Sequence, residues 1–196
     1  KFTYACRLAA ALCFIGLVRL ETVFIQPFSD NLQEGFRADG GRHRYALAAN
    51  FLEELSPIGQ SNFHESARQF LAPEPAPGLA VVISDFLDTN GCATALRHLA
   101  DFGHELLLLH VAGPEDREPT WRGELELVDA ESGDTYRMNV DQESAIEYTA
   151  SYDKFCHHLK HIALCGRGRY IHLVTDTPIE DSLYGVMNQA GLVGVQ

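Results

Sequence analysis

Asp85 and Asp88 follow directly on an apolar run, Leu79-Ala80-Val81-Val82-Ile83-Ser84, and they offer this sequence its clearest opening for chemistry. Two carboxylates at a strand end, close to the start of a helix, can hold a hard cation such as Mg²⁺ with water completing the shell. Asp85 can instead only cap the helix that follows or fix the turn. A phosphohydrolase built on them would need a closer carboxylate pair and a Lys further on, and neither the spacing nor an obvious Lys meets that need.

A second group, Cys156, His157, His158, His161 and Cys165, falls on one helical stretch. Spacings of three and four bring His157 and His158 beside His161, and His161 beside Cys165. Zinc would need a further ligand from another segment; without a partner motif, the pattern reads as a solvated helix face with buried cysteines. His110, at the end of an apolar run before Val111-Ala112-Gly113-Pro114, either lines a rim or fixes core and loop. Cys165-Gly166-Arg167-Gly168-Arg169 precedes a strand instead of joining strand to helix, so it reads as a turn and not as a phosphate loop. The sequence holds no Gly-x-Ser-x-Gly elbow and no zinc-protease motif.

These groups depend on the elements that carry them. Phe2 to Val18 is Ala- and Leu-rich and predicts a deeply packed helix. Thr22 to Phe28 is β-branched and aromatic and predicts a strand, followed by a short extended segment near Leu32 to Phe36. Helices are expected over Arg44 to Leu55 and Phe63 to Leu71. A Pro-rich connector, 72–78, leads to the Leu79 strand, whose unbroken apolar character predicts burial on both faces. A helix from Cys92 to Phe102 stops at Gly103, and Glu105 to Val111 is another buried strand. Arg122 to Val128 and Thr135 to Asn139 form a β-hairpin. Asp141 caps a long helix to about Leu164, Tyr170 to Thr175 is the last strand, and Thr177-Pro178 opens the final helix. This alternation predicts an α/β, doubly wound, mostly parallel sheet with helices on both faces and a β-hairpin near 122–139. In such sheets ligands bind beyond the carboxyl ends of the strands, which is where Asp85 stands.

The chain has 196 residues, enough for one domain with a substantial core. A formal charge of −12 and a pI near 5.1 argue against a nucleic-acid backbone or an anionic membrane surface as the main partner. Five widely spaced cysteines, with no recognisable secretory signal, are the pattern of reduced, buried thiols and point to the cytoplasm. The apolar stretch Leu8 to Val18 is too short to span a bilayer. The opening at Lys1, with no initiator Met, suggests a piece of a longer protein.

Several segments in order resemble one bacterial family, the domain of unknown function fifty-eight (DUF58), whose members are similar to von Willebrand factor A domains. They are Lys1-x-x-Tyr4-Ala5-x-x-Leu8-Ala9-Ala10-Ala11-Leu12, Gln26-Pro27-Phe28-Ser29-Asp30, Val82-Ile83-Ser84-Asp85-Phe86-Leu87-Asp88, His104 to Val111, Glu124-Leu125-x-Leu127-Val128-Asp129 and Thr175-Asp176-Thr177-Pro178. The resemblance implies a single von Willebrand factor A-like domain over 1–196, with a metal-ion-dependent adhesion site at the carboxyl edge of its sheet. Ser61, in Gly59-Gln60-Ser61-Asn62-Phe63, takes the place of the family's Thr ligand, and Asp85 matches its last Asp. The D-x-S-x-S loop and the first central strand of the family are missing here. The metal site of this chain is therefore expected to be incomplete, with Mg²⁺ or Mn²⁺ bound in the intact protein and little or none in this segment. The sheet is expected either to leave a gap beside Ala80 to Ser84 or to pair that strand with Thr22 to Phe28.

The function this implies is a non-enzymatic protein interaction domain that captures a partner's carboxylate, with a MoxR-class AAA+ ATPase as the implied partner. The alternatives are a metal-dependent phosphohydrolase using Asp85 and Asp88, and a metal-free structural scaffold.

Overall fold

A computed structural model describes residues 1–57, 59–88, 91–129 and 133–189 of the chain. Helix α1 (Phe2–Val18), free of Pro and rich in Ala and Leu, buries Leu8, Cys13 and Leu17. Strand β1 (Val23–Ile25) pairs antiparallel with β2 (Phe36–Ala38) as a small sheet of its own. The extended segment expected near Leu32 to Phe36 thus lies further on. Between the two strands the Gln26 amide donates to the carbonyls of Pro27 and Gln33, and Leu32 makes only a single bridge to Phe28. Helix α2 (Tyr45–Glu54) follows a 3₁₀ turn over Arg42–Arg44. Helix α3 (Phe63–Leu71) starts at Asn62, whose side chain accepts from the Glu65 amide at 3.0 Å.

From there strands and helices alternate: β3 (Leu79–Ser84), α4 (Cys92–Asp101), β4 (Glu105–Ala112), the hairpin β5 (Gly123–Val128) and β6 (Thr135–Val140), α5 (Gln142–Cys165), β7 (Arg169–Val174) and α6 (Ile179–Gln189). Strands β3, β4 and β7 form a parallel sheet in that spatial order. On one face Leu106 and Leu108 pack with residues of α3, α4 and α5. On the other Leu107 and Leu109 pack with Leu8 of α1 and Val186 of α6. The architecture is therefore mixed α/β, with parallel and antiparallel pairing and helices on both faces of the parallel sheet.

β4 is the strand buried on both faces; all of it except Glu105 is out of solvent. β3, expected to be buried on both faces, is instead half-exposed: Leu79 keeps 49% and Val81 36% of its surface. The reason is its place at the sheet edge. Among the described residues β3 pairs only with β4 and β1 only with β2, so the open edge is the arrangement present. Entry to β7 is tight. The main chain of α5 ends at Gly166, Arg167 takes a positive φ of 56°, and Gly168 passes so close to β4 that a Cβ there would lie 1.8 Å from the Leu106 carbonyl oxygen.

The contrast between strands sets a stability test. Leu108→Ala in the buried centre is expected to cost about 2–5 kcal/mol, and Val81→Ala at the open edge under about 1 kcal/mol, as measured by urea unfolding.

Candidate functional site

Beyond β3 the chain turns sharply. The Phe86 amide donates to Ser84 Oγ at 3.0 Å and the Leu87 amide to Asp85 Oδ1 at 3.3 Å. Phe86 has a φ of 58°, an unusual conformation for a bulky residue, and its ring is buried against Phe63 and His110. Burying that ring holds the turn, and the turn sets the Asp85 carboxylate at the rim with 37% of its side chain exposed. The loop after β4 brings a second carboxylate: Asp116 Oδ2 accepts from the Gly113 amide at 2.9 Å. The Lys1 ammonium lies between the two, 2.6 Å from Asp116 Oδ2 and 3.3 Å from Asp85 Oδ2. Partial burial works to lower the Lys1 pKa, but the two carboxylates outweigh it and hold the ammonium above its ordinary value. Sequence reasoning missed Asp116, because only the path of the Gly113-Pro114 loop aims it at Asp85.

Ser61 is half-buried in the loop ahead of α3. That loop is fixed by the Asn62 amide, which donates to the Ser29 carbonyl at 2.8 Å, and by the Phe63 amide, which donates to Asp88 Oδ2 at 2.7 Å. The Ser61 and Asp85 loops are thereby tied to each other at the carboxyl edge. One oxygen of Asp88 thereby caps the start of α3, a role that its place in the sequence did not disclose.

Behind the rim lies a polar cluster. His110 (β4) and His172 (β7) are direct register partners on the face covered by α5, with ring centroids 4.9 Å apart and planes at 89°. Cys156 of α5 places Sγ 3.9 Å from His110 Nδ1. The Tyr170 hydroxyl is 2.7 Å from that same nitrogen, and the Tyr152 hydroxyl is 3.0 Å from His172 Nε2. Burial, reinforced by the His172 imidazole, drives His110 from its ordinary value down to about 4, and burial also lowers His172. Both rings are neutral at neutral pH. Burial likewise raises the phenols of Tyr152 and Tyr170, so they remain hydroxyl donors.

This grouping differs from the one expected along α5. His157, His158 and His161 are exposed, and Cys165, expected to be buried, is exposed too, 3.6 Å from His161 Nδ1. Cys156 belongs to the other side of the helix, on the stripe with Tyr152, Leu159 and Ala163 that meets the sheet. Among the described residues, His110, Cys156 and His172 are the group whose donor atoms could hold a metal ion, all lying within 4.8 Å of one another. The missed member, His172, had a signal in sequence: in Arg169 to Val174 the alternation places Tyr170 and His172 on one face.

The capping role gives a test. Asp88→Ala strands the Phe63 amide and is expected to lower stability by about 1–2 kcal/mol in chemical denaturation, with little change in the secondary-structure signal.

Comparisons place these features in a wider group. No helix among the described residues is long and apolar enough to cross a membrane. Across 98% of its length the chain is similar in fold to an aerotolerance-related membrane protein from Bacteroides fragilis, with a TM-score of 0.55, 19% identity and 89% of that chain covered. It is similar too to the conserved hypothetical protein BatB from Bacteroides thetaiotaomicron, with a TM-score of 0.52, 17% identity, and 98% and 89% of the two chains covered. In sequence it is 41% identical over 69 residues to uncharacterized proteins of Mycobacterium bovis and Mycobacterium tuberculosis, a match covering 35% of this chain and 22% of each relative's length. The family described as protein of unknown function DUF58 matches residues 1–155, and the chain belongs to that family.

Proposed function

We propose that this chain is a non-enzymatic, cytoplasmic protein interaction domain whose docking face is the carboxyl edge of the parallel sheet, with a MoxR-class AAA+ ATPase as its partner. The observation that carries this reading is the convergence of Asp85 and Asp116 on one cation, the Lys1 ammonium. A rim that gathers two carboxylates around one positive charge suits a hard, oxygen-ligated cation. The Ser61 hydroxyl, on a loop tied to the same edge through Phe63 and Asp88, is the remaining donor of the proposed set. With Mg²⁺ or Mn²⁺ bound, an open coordination position would accept a carboxylate from the partner.

The chain's own residues do the positioning. Ser84 and the Phe86 ring fix the turn that presents Asp85, while Gly113 fixes Asp116. The Lys1 ammonium competes for the same oxygens. Asp88, with one oxygen on the Phe63 amide, is poorly suited to serve as the second carboxylate of a phosphohydrolase.

Calorimetric titration with Mn²⁺ tests the rim. Lys1→Ala is expected to tighten Mn²⁺ binding about tenfold over the unaltered chain, equal to about 1.4 kcal/mol, and Asp85→Asn to abolish it. Equal affinity in all three proteins would place the ion away from this rim, and no binding in any of them would make the fold a metal-free scaffold. In parallel, Asp85→Asn in the full-length protein should lose binding to the purified ATPase while its circular dichroism is unchanged. Retained binding, or turnover of a phosphate ester with Mg²⁺, would overturn the assignment.

A further inference from the structure

We propose that His110, Cys156 and His172 form a zinc-class metal site, separate in chemistry from the oxygen-lined rim. Two imidazoles and one thiol are a borderline-soft donor set, matched to Zn²⁺ and poorly matched to Mg²⁺ or Mn²⁺. The three come from three elements: His110 from β4, His172 from the neighbouring β7, and Cys156 from α5 laid across both. That origin separates the cluster from the run of histidines on the outer face of α5, where one helix supplies every candidate ligand.

The distances are close to what the ion requires. Zn–N bonds of about 2.0–2.1 Å and Zn–S bonds of about 2.3 Å place tetrahedral donors roughly 3.3–3.7 Å apart. Here the donor atoms lie within 4.8 Å of one another, and Cys156 Sγ is already 3.9 Å from His110 Nδ1. The Tyr170 hydroxyl lies 2.7 Å from His110 Nδ1 and the Tyr152 hydroxyl 3.0 Å from His172 Nε2, so each phenol turns aside from a nitrogen that the ion takes.

The surroundings favour a bound ion over solvated side chains. His110 is 1% exposed and ringed by Phe86, Tyr152, Phe155 and Tyr170, whereas His172 reaches solvent and leaves a path of entry. Three protein ligands leave a fourth position for water, the arrangement of reactive zinc sites and not of closed structural ones. Binding converts the Cys156 thiol to a thiolate and releases its proton to solvent.

Cobalt(II) is the direct probe, because a cobalt–thiolate bond gives a near-ultraviolet charge-transfer band. The reduced, chelator-treated chain titrated with Co²⁺ should develop that band, with intense tetrahedral visible bands, saturating at one equivalent and bleached by Zn²⁺. Cys156→Ser should remove the charge-transfer band, and His172→Asn, at an exposed position, should weaken Zn²⁺ affinity by at least about tenfold. Cys165→Ser should leave both unchanged. Should Cys156→Ser fail to fold, alkylation of the unaltered chain decides the matter: Zn²⁺ should slow iodoacetamide labelling of Cys156, mapped by peptide mass, by at least about tenfold. The proposal is overturned by absence of the band in folded protein, by its survival in Cys156→Ser, by its loss in Cys165→Ser, or by a Cys156 labelling rate indifferent to Zn²⁺.

Discussion

The exclusion of water from β4 is the constraint on which the other parts of this molecule depend. Its backbone is paired on both sides, by β3 and β7, and its side chains feed two separate apolar clusters. Leu106 and Leu108 anchor α3, α4 and α5, while Leu107 and Leu109 anchor α1 and α6. Each buried leucine stabilises the fold by about 1.5–3 kcal/mol, so the run of four is a large share of a margin that for domains of this kind is only about 5–15 kcal/mol. The helices have little reason to sit where they do without that strand between them.

Both polar centres are products of that burial. β4 ends in His110, Val111 and Ala112, and the chain then turns at Gly113, which delivers Asp116 to the rim. His110 occupies a face position that would continue the leucine stripe, yet it is enclosed as fully as its neighbours. A buried imidazole needs polar company, and Tyr170, Cys156 and His172 provide it. The rim and the cluster are also felt by one another: the charges of Asp85, Asp116 and Lys1 all act on His110.

Much of this was legible in the sequence, for reasons that differ by element. Period disclosed α3, α4, α5 and the hairpin, and Gly103 and Asp141 marked the end of α4 and the start of α5. Asp85 was legible because a strand that stops at Ser-Asp points to a rim. The contrast between β3 and β4 was not, because Leu79-Ala80-Val81-Val82-Ile83 and Leu106-Leu107-Leu108-Leu109 look alike until their neighbours are known. The His110–Cys156–His172 group was hidden for a related cause. Its members are separated by long stretches of chain and meet only through parallel register and the roll of α5, whereas the nearby histidines of α5 advertise themselves by spacing alone. Reading the apolar stripe of α5 first would have set Cys156 apart from them.

Gly168 has a bearing on that meeting that its size conceals. Alternation along a strand means that a shift of β7 by one residue would exchange its two faces, sending His172 and Tyr170 to the α1 side and bringing Ile171 beneath α5. Apolar residues line both sides of β7, so hydrophobicity alone penalises such a slip only weakly. The contact of the Gly168 backbone with Leu106 is a steric key: the chain can lie flush against β4 there only where a side chain is missing, and Arg167 and Arg169 on either side cannot take its place. One absent methyl group thus acts as the index mark that aligns two strands and, with them, two imidazoles.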